Sequence, residues 1–408
     1  MPSQPEVNIG TAGHVDHGKT TILQALTGVW TSSHSEELRR GITIKIGYVD
    51  MPVYECRALQ GPSRFSVSQE MDGCEGGVVL RRAVSFVDCP GHESLMANML
   101  SGAAVMDGAM LVVAANEEVP RPQTKEHLVA LELLGVDQIL IVQNKVDLVS
   151  RDETLDNYQR IVSFVDETVA EGAPIIPFSA VRGLNMPYLL EAIETTIRTP
   201  ERSRRKDLRM SIIRSFDINF PGKRFDEISG GVIGGSILEG KLEEGAELEI
   251  LPGYLHSKDG GIEHVPLYTE ALSISSGRLR LEEAHAGGLI GVQTDLDPAL
   301  AAADSLVGNV IGKPGTLPEV LFDFEMETTL FKYVVGTDEM VEARPIRPKE
   351  PLRLNVGAAV TLGTVSDVKG DTAHVGLAKP VVAESGWRAA IARRVGSKWR
   401  LIGVGDIR

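Results

Sequence analysis

Four short segments of the sequence place glycine, lysine, aspartate and asparagine at spacings that suit ligand binding or catalysis. The first, GHVDHGKT from Gly13 to Thr20, fits G-x-x-x-x-G-K-[ST] between a short apolar run and a helical segment. In such a loop the backbone N–H groups surround phosphate oxygens, the lysine reaches the β- and γ-phosphates, and the hydroxyl binds Mg²⁺. The residues expected to contact a nucleotide here are Asp16, His17, Gly18, Lys19, Thr20 and Thr21.

The second segment, Asp88-Cys89-Pro90-Gly91, follows the apolar run from Ala83 to Val87. An aspartate at a strand end can hold Mg²⁺ through water, and the Gly91 N–H can contact the γ-phosphate. The next residue, His92, is predicted to position the attacking water, because catalysis of phosphoryl transfer is mostly orientation and charge stabilisation. The alternative for His92 is an exposed loop histidine without a role.

The third and fourth segments indicate that the base is guanine. Asn144-Lys145-Val146-Asp147 follows a strand-like run, and the Asp147 carboxylate can accept hydrogen bonds from guanine N1–H and the 2-amino group. Adenine lacks both donors, and leaving a buried acceptor unpaired is costly, so this residue can select GTP over ATP. A second strand-like run ends at Phe178 and is followed by Ser179, Ala180 and Val181, whose backbone N–H groups are expected near guanine O6.

A threonine segment lies between the first two motifs, at Arg40-Gly41-Ile42-Thr43. Thr43 is predicted to close over Mg²⁺ and the γ-phosphate, so that the segment orders with the triphosphate and relaxes after hydrolysis. The alternative is an ordinary loop threonine. With His92 and Lys19, Thr43 completes the predicted catalytic set. His14 and His17 are not expected to bind metal, because Mg²⁺ in a phosphate loop takes oxygen ligands.

The elements that must position these segments alternate between strand and helix up to Pro200. This alternation predicts a mostly parallel sheet with helices on both faces. After Pro200, short β-type runs recur between Gly and Pro turns, which is typical of antiparallel barrels, and Lys313-Pro314-Gly315 suggests a further boundary. We therefore expect an α/β P-loop GTPase domain at 1–200, followed by two antiparallel β-barrel domains at 201–315 and 316–408.

Composition excludes several classes of protein. The 408 residues are 43% hydrophobic and 24% charged, as in ordinary globular proteins, and the formal net charge is −15. So acidic a chain is a poor non-specific binder of nucleic acid, and any such partner requires a local basic surface. No apolar run is long enough to span a membrane. The three cysteines are too few for a disulfide scaffold, which favours a reducing, cytoplasmic location.

Together, GHVDHGKT, RGITI, DCPGH and NKVD resemble the elongation factor Tu family of translational GTPases. Longer stretches resemble the gamma subunit of archaeal and eukaryotic translation initiation factor two, from about Val7 to Arg408. They are ALTGVWTSSHSEELRRGITIKIGYVD, VAEGAPIIPFSA, GGVIGGSILEGKLEEGAELEILPG, GGLIGVQTDLDP and WRLIGVGDIR. The resemblance implies a GTPase that cycles between GTP and GDP within a heterotrimer with alpha and beta subunits. It also implies binding of methionyl initiator tRNA and its delivery to the small ribosomal subunit.

The resemblance extends to metals. It implies that Thr20 and Thr43 hold one Mg²⁺ and that Asp16 and the Gly41 backbone hold a second in the GTP state. Archaeal members often carry a zinc knuckle with two cysteine pairs between the positions of Tyr48 and Val84. This sequence keeps only Cys56 and Cys74 there, and four-coordinate zinc would need two more ligands, so no structural zinc is expected.

Three other functions remain open from the sequence. A carrier of elongator or selenocysteine tRNA shares the GTPase motifs, although Tyr48 and the run IKIGYVD argue against it. A GTP-binding assembly scaffold without productive hydrolysis would keep the same motifs. The GTP-dependent large subunit of sulfate adenylyltransferase shares the GTPase domain, but the second-domain similarity argues against this assignment.

Overall fold

A computed structural model describes residues 4–31, 46–91, 96–220, 222–258, 261–277, 279–335 and 341–408. The chain divides into two compact units, Met1–Pro200 and Glu201–Arg408. Gly41, Thr43 and His92 lie outside the described residues, so their predicted roles stay predictions.

The first unit is built on a seven-stranded sheet in the order β3-β2-β4-β1-β5-β6-β7. Five of these strands run parallel, while β2 is antiparallel to β4 and β3 is antiparallel to β2. The central strands are buried on both faces, which explains their continuous apolar runs. The strands are β1 (Val7–Ala12), β2 (Gly47–Cys56), β3 (Phe65–Ser66), β4 (Val78–Asp88), β5 (Gly108–Ala114), β6 (Ile139–Asn144) and β7 (Ile175–Pro177).

Helices connect these strands and cover the sheet. In the described part of the first unit they are α1 (Lys19–Thr27), α2 (Met96–Ala103), α3 (Pro122–Leu133), α4 (Arg151–Val165) and α5 (Met186–Thr196). Ser150 and Glu153 form a reciprocal capping box that fixes the start of α4. Asn185 directly precedes α5, but its side chain does not cap the helix. It donates to the Pro177 carbonyl at 2.7 Å instead.

The carboxyl ends of β1, β4 and β6 lie at the same edge of the sheet, because these strands are parallel. The three principal motifs directly follow or end these strands, at Gly13, Asp88 and Asn144. Open α/β sheets bind their ligands at this edge. The topology therefore brings together segments that are far apart in the sequence.

The second unit begins with a closed antiparallel barrel of six strands, in the order β11-β16-β8-β9-β15-β12 and back to β11. Its interior is filled by aliphatic side chains such as Ile212, Ile233 and Ile274. A short ladder, β10 with β14, lies beside it. The elements are β8 (Arg209–Phe216), β9 (Val232–Glu239), β10 (Lys241–Glu243), β11 (Glu247–Lys258), β12 (Gly261–Ser276), β13 (Leu279–Leu281), β14 (Glu283–His285), β15 (Ile290–Thr294), α6 (Pro298–Ala301) and β16 (Val310–Gly312).

A second closed barrel follows in the order β17-β20-β19-β18-β21-β22. Buried and exposed residues alternate along its strands, as in the run from Thr361 to Val365, because one face of each strand fills the barrel. The predicted fold class, a GTPase domain with two antiparallel barrels, is confirmed. The strands are β17 (Val320–Leu330), β18 (Pro351–Val356), β19 (Ala359–Lys369), β20 (Thr372–Val382), β21 (Arg388–Val395) and β22 (Lys398–Ile407).

Two of the three cysteines are paired, contrary to the expectation from cysteine number. Cys56 and Cys74 form a disulfide, with their Cα atoms 6.0 Å apart, whereas cysteine number alone favoured unpaired thiols. The third, Cys89, is buried. Cysteine spacing does not predict this disulfide. Cys74 comes close to Cys56 at the end of β2 only because the turns between them fold the chain back. Among the described residues, no helix is long and apolar enough to cross a membrane.

Candidate nucleotide-binding site

The phosphate loop joins β1 to α1 and is held in an unusual backbone conformation. Gly13, Asp16 and Gly18 have φ angles of 128°, 64° and 90°. Such values are readily adopted by glycine but rarely by other residues. A Cβ on Gly13 would overlap the Val112 carbonyl of β5, so the loop lies directly on the neighbouring strand. The loop therefore requires glycine at positions 13 and 18, and Asp16 between them adopts a left-handed conformation that aspartate tolerates.

Lys19 directs its ammonium group into this loop. Its Nζ donates to the carbonyls of Gly13 at 2.9 Å and His14 at 2.8 Å. Burial lowers the pKa of Lys19 to about 8, an effect that the nearby Asp88 carboxylate opposes. The buried cation thus lies where phosphate oxygens are expected, and a phosphate would replace the two carbonyls as its partner.

Asp88 lies at the end of β4 and accepts hydrogen bonds from three threonines. The distances to the hydroxyl groups of Thr11, Thr20 and Thr31 are 3.0, 2.7 and 2.5 Å. Burial raises the pKa of Asp88, while these hydroxyl donors and Lys19 oppose the rise. Thr20, predicted to bind Mg²⁺ directly, and Asp88, predicted to bind it through water, are therefore adjacent. This hydroxyl and carboxylate pair fits Mg²⁺, which prefers oxygen ligands.

Gly91 belongs to the same site. It is buried, and a Cβ at this position would overlap Lys19 Nζ. The backbone of the second motif thus lies against the phosphate-loop lysine. The order of the motifs in the sequence predicts this proximity, and the fold brings the two segments together.

The predicted base-binding segments meet at Asn144. Its Nδ2 donates to the His17 carbonyl at 2.9 Å, and its Oδ1 accepts from the Ala180 N–H at 3.2 Å. One buried side chain therefore ties the phosphate loop to both base segments. The sequence motif assigned Asn144 to nucleotide binding but did not predict these two contacts.

The remaining base-site residues lie around this tie. Asp147 is exposed in a single 3₁₀ turn, Val146–Leu148, where its carboxylate can reach a ligand. Ser179 is buried and accepts from the Arg182 N–H at 3.2 Å, which shapes the turn that carries Ala180. The other predicted base-site residues, Lys145, Val146 and Val181, are partly or fully exposed, as are Asp16 and Thr21 of the phosphate loop.

The structure adds a histidine that sequence motifs did not reveal. His127 of α3 is buried, and its Nδ1 accepts a hydrogen bond from the Gly13 N–H at 2.9 Å. His17 is also buried, and its Nδ1 lies 2.9 Å from the Val112 carbonyl, to which it donates. The His127 imidazole thus holds the loop backbone at Gly13, and the His17 imidazole anchors the loop to β5. No local pattern marks His127, because its partner lies 114 positions away.

Burial lowers the pKa of His17 to about 4 and that of His127 to about 3. An unfolded histidine gains its proton near pH 6.5, so the unfolded chain binds more protons as the pH falls below that value. Stability is therefore expected to fall by about 2 kcal/mol per histidine between pH 7 and pH 5. Equilibrium urea unfolding at both pH values measures this loss.

A His127→Gln variant should lose about 2 kcal/mol less between pH 7 and pH 5 than the parent protein, since one titrating group is removed. His256→Gln, at a partly exposed position of the second unit, is the matched control. An unchanged pH dependence in His127→Gln would contradict the assignment of His127 as a buried neutral acceptor.

Comparison with protein families places this geometry in a known class. The model of the elongation factor Tu GTP-binding domain matches residues 4–199, and the model of the initiation factor eIF2 gamma C-terminal domain matches residues 322–407.

Two solved structures share the fold over essentially the whole chain. Translation elongation factor SelB from Methanococcus maripaludis, in complex with the GTP analogue GppNHp, has a TM-score of 0.73 and 23% identity and is covered to 80%. A bacterial selenocysteine-specific elongation factor, EF-Sec, has a TM-score of 0.75 and 22% identity, and this chain covers 58% of it. The matched GTP-binding domain and the shared fold together define a GTPase of the elongation factor Tu class.

The curated relatives narrow this class. The translation initiation factor 2 gamma subunit of Archaeoglobus fulgidus is 54% identical, over 99% of this chain and 95% of the relative. That of Methanothermobacter thermautotrophicus is 51% identical over the full length of both chains. That of Aeropyrum pernix is 53% identical, over 99% of this chain and 98% of the relative. The chain belongs to the translation initiation factor 2 gamma-subunit family, and as a member of this GTPase family it binds GTP and GDP with Mg²⁺.

Proposed function

We propose that the chain, in its GTP form, binds methionyl initiator tRNA and delivers it to the small ribosomal subunit in the cytoplasm. Hydrolysis of GTP to GDP and phosphate then releases the tRNA. The observation that carries this proposal is the extent of the family similarity. It covers the barrels as well as the GTPase domain, at 51% identity over 408 residues in one relative. A GTPase domain alone would support only nucleotide binding.

The nucleotide site supports the switch part of the proposal. Lys19 donates to the β- and γ-phosphates, and Thr20 with Asp88 holds Mg²⁺, which neutralises phosphate charge when bound. The contacts of Lys19 Nζ with the Gly13 carbonyl and of the Thr20 hydroxyl with Asp88 support these roles. Asp147 and the Ala180 N–H read guanine. Thr43 is assigned to the same Mg²⁺, while Asp16 and Gly41 are assigned to a second ion in the GTP state.

Hydrolysis in this proposal depends on orientation. His92 holds the attacking water against the γ-phosphate, and Lys19 stabilises the charge that develops on the phosphate oxygens. No arginine among the assigned site residues supplies additional charge. Turnover by the isolated chain is therefore expected to be slow until the ribosome completes the site.

The alpha and beta subunits are the proposed protein partners, with alpha on the first barrel and beta on the GTPase domain. The loop after β8 supports an alpha contact. Asn219 joins the two sides of this loop, since its side chain donates to the Ser229 carbonyl at 2.7 Å and accepts from the Ser229 N–H at 2.9 Å. Phe220 beside it is 78% exposed, and an exposed aromatic side chain is typical of a protein interface.

The test is protection of methionyl initiator tRNA from deacylation by the full chain with its alpha subunit. Protection is expected with a non-hydrolysable GTP analogue and not with GDP, and elongator methionyl-tRNA is the matched control. Equal protection of the elongator would favour the elongation-type carrier. No protection in either nucleotide state would contradict tRNA binding and favour a GTP-binding scaffold.

A further inference from the structure

The disulfide between Cys56 and Cys74 closes a surface excursion of the GTPase domain. Cys56 is the last residue of β2 and is buried, whereas Cys74 is half-buried in a turn closed by its N–H and the Met71 carbonyl, 3.2 Å apart. The seventeen positions between the two cysteines are thereby held in a closed loop. The bond therefore fixes where the excursion ends relative to the sheet.

The two halves of this excursion are held differently. The first half is anchored without the disulfide, because Phe65 is buried in the core of the domain and β3 pairs with β2. Most side chains between 67 and 77 are exposed. Gln69 donates to the Tyr54 hydroxyl at 3.1 Å, and the other hydrogen bonds of this second half, within the described part of the chain, are local to it. Val67 also packs against the core, and Val78, directly after this segment, pairs with Cys56. Between these two anchors, the disulfide at Cys74 is the covalent cross-link to the sheet.

The disulfide lies far from the nucleotide-binding site around Asp88. In the β2–β4 ladder Gly47 pairs with Asp88 at one end and Cys56 pairs with Val78 at the other, ten pairs in all. At about 3.3 Å per residue the disulfide lies about 30 Å along the ladder from the Asp88 end. A change at the cysteines can therefore alter the excursion and leave the site around Asp88 intact.

The remaining thiol does not compete for this pairing. Cys89 is fully buried, and burial raises the pKa of its thiol, so little reactive thiolate forms there. Cys74 is half-buried and is the more accessible member of the pair. Exchange with a small disulfide is therefore expected to begin at Cys74 and to be resolved by Cys56.

From this arrangement we infer that Cys56 and Cys74 are a reversible thiol–disulfide pair that fastens or releases the surface formed by residues 67–77. In the oxidising direction, the Cys74 thiolate attacks a low-molecular-weight disulfide, and one small thiol leaves. The Cys56 thiolate then attacks the Cys74 sulfur, and the second small thiol leaves. Two protons and two electrons pass from the protein to the small disulfide, and excess thiol reverses both steps.

The test uses the full chain equilibrated with reduced or oxidised glutathione, followed by cleavage after Glu70 with a glutamyl endopeptidase. Cleavage is expected to be about tenfold or more faster in the reduced protein, because opening of the 67–77 segment is no longer opposed by the closed loop. Alkylation after denaturation should count three thiols in the reduced protein and one in the oxidised protein, since the chain has three cysteines. GTP affinity should be the same in both.

Two variants control the experiment. Cys74→Ser should be cleaved rapidly in both buffers, and Cys89→Ala should respond to glutathione as the parent protein does. Three alkylated thiols in the oxidised buffer, or equal cleavage in the two buffers, would overturn the inference. A GTP affinity that changes with the redox state would overturn the claim that the pair acts independently of the nucleotide site.

Discussion

An Asp147→Asn variant is expected to bind GTP about 10²–10⁴-fold more weakly, because one of two acceptors for guanine is replaced by an amide donor that faces the donors of the base. The same amide can donate to the 2-oxo group of xanthine, so the variant should prefer xanthosine triphosphate. The structure places Asp147 in an exposed turn after β6, beside the Asn144 tie. Equilibrium titration with fluorescent GTP and xanthosine triphosphate measures both effects.

Asp156→Asn is the matched control for this substitution. Asp156 is an exposed carboxylate on α4 that pairs with Arg160 at 2.7 Å, and exposed pairs of this kind contribute little to stability. Its nucleotide affinities should equal those of the parent protein. If Asp147→Asn kept the parent affinity for GTP, the assigned contact with the base would be wrong.

A Gly18→Ala variant is expected to lose about 10³-fold in nucleotide affinity, or about 4 kcal/mol. Two effects combine: Gly18 has a φ of 90°, and the added Cβ would overlap Asn144 Nδ2. Displacing Asn144 breaks its hydrogen bonds to the His17 carbonyl and the Ala180 N–H. Isothermal titration with GDP and Mg²⁺ measures the loss.

Gly28→Ala separates strain from overlap. Gly28 also has a positive φ, 72°, at the end of α1, but no atom lies within 4 Å of the position its Cβ would take. This variant should lose about 1–2 kcal/mol of stability and keep its nucleotide affinity. Comparable losses of affinity in the two alanine variants would show that backbone strain alone, and not the contact with Asn144, accounts for the effect.

The candidate site was predictable wherever a motif depends on local backbone chemistry. Lys19 and Thr20 follow from the glycine loop between a strand and a helix, and Asp88 follows from its place at a strand end. Parallel strands then bring these residues to one edge of the sheet. The assignment of Asp147 to guanine likewise needs only the hydrogen-bonding pattern of a carboxylate and stays a prediction until it is measured.

The barrels were predictable as a class and less so in detail. Alternating apolar residues and Gly/Pro turns after Pro200 indicate antiparallel strands, because one face of each strand must be buried. Each six-stranded barrel is closed by one strand pairing, between β11 and β12 in the first barrel and between β17 and β22 in the second. Local patterns do not specify which distant strands pair.

The class of fold, the nucleotide motifs and their order follow from the sequence alone, because these depend on residue type and short spacing. Folding adds three contacts that residue type and spacing do not specify: His127 supports Gly13, Asn144 joins three loops, and Cys56 is bonded to Cys74. Each of these contacts joins residues that are far apart in the chain. Burial, which sets the neutral state of His127, exists only after the chain has folded, and no local pattern carries it.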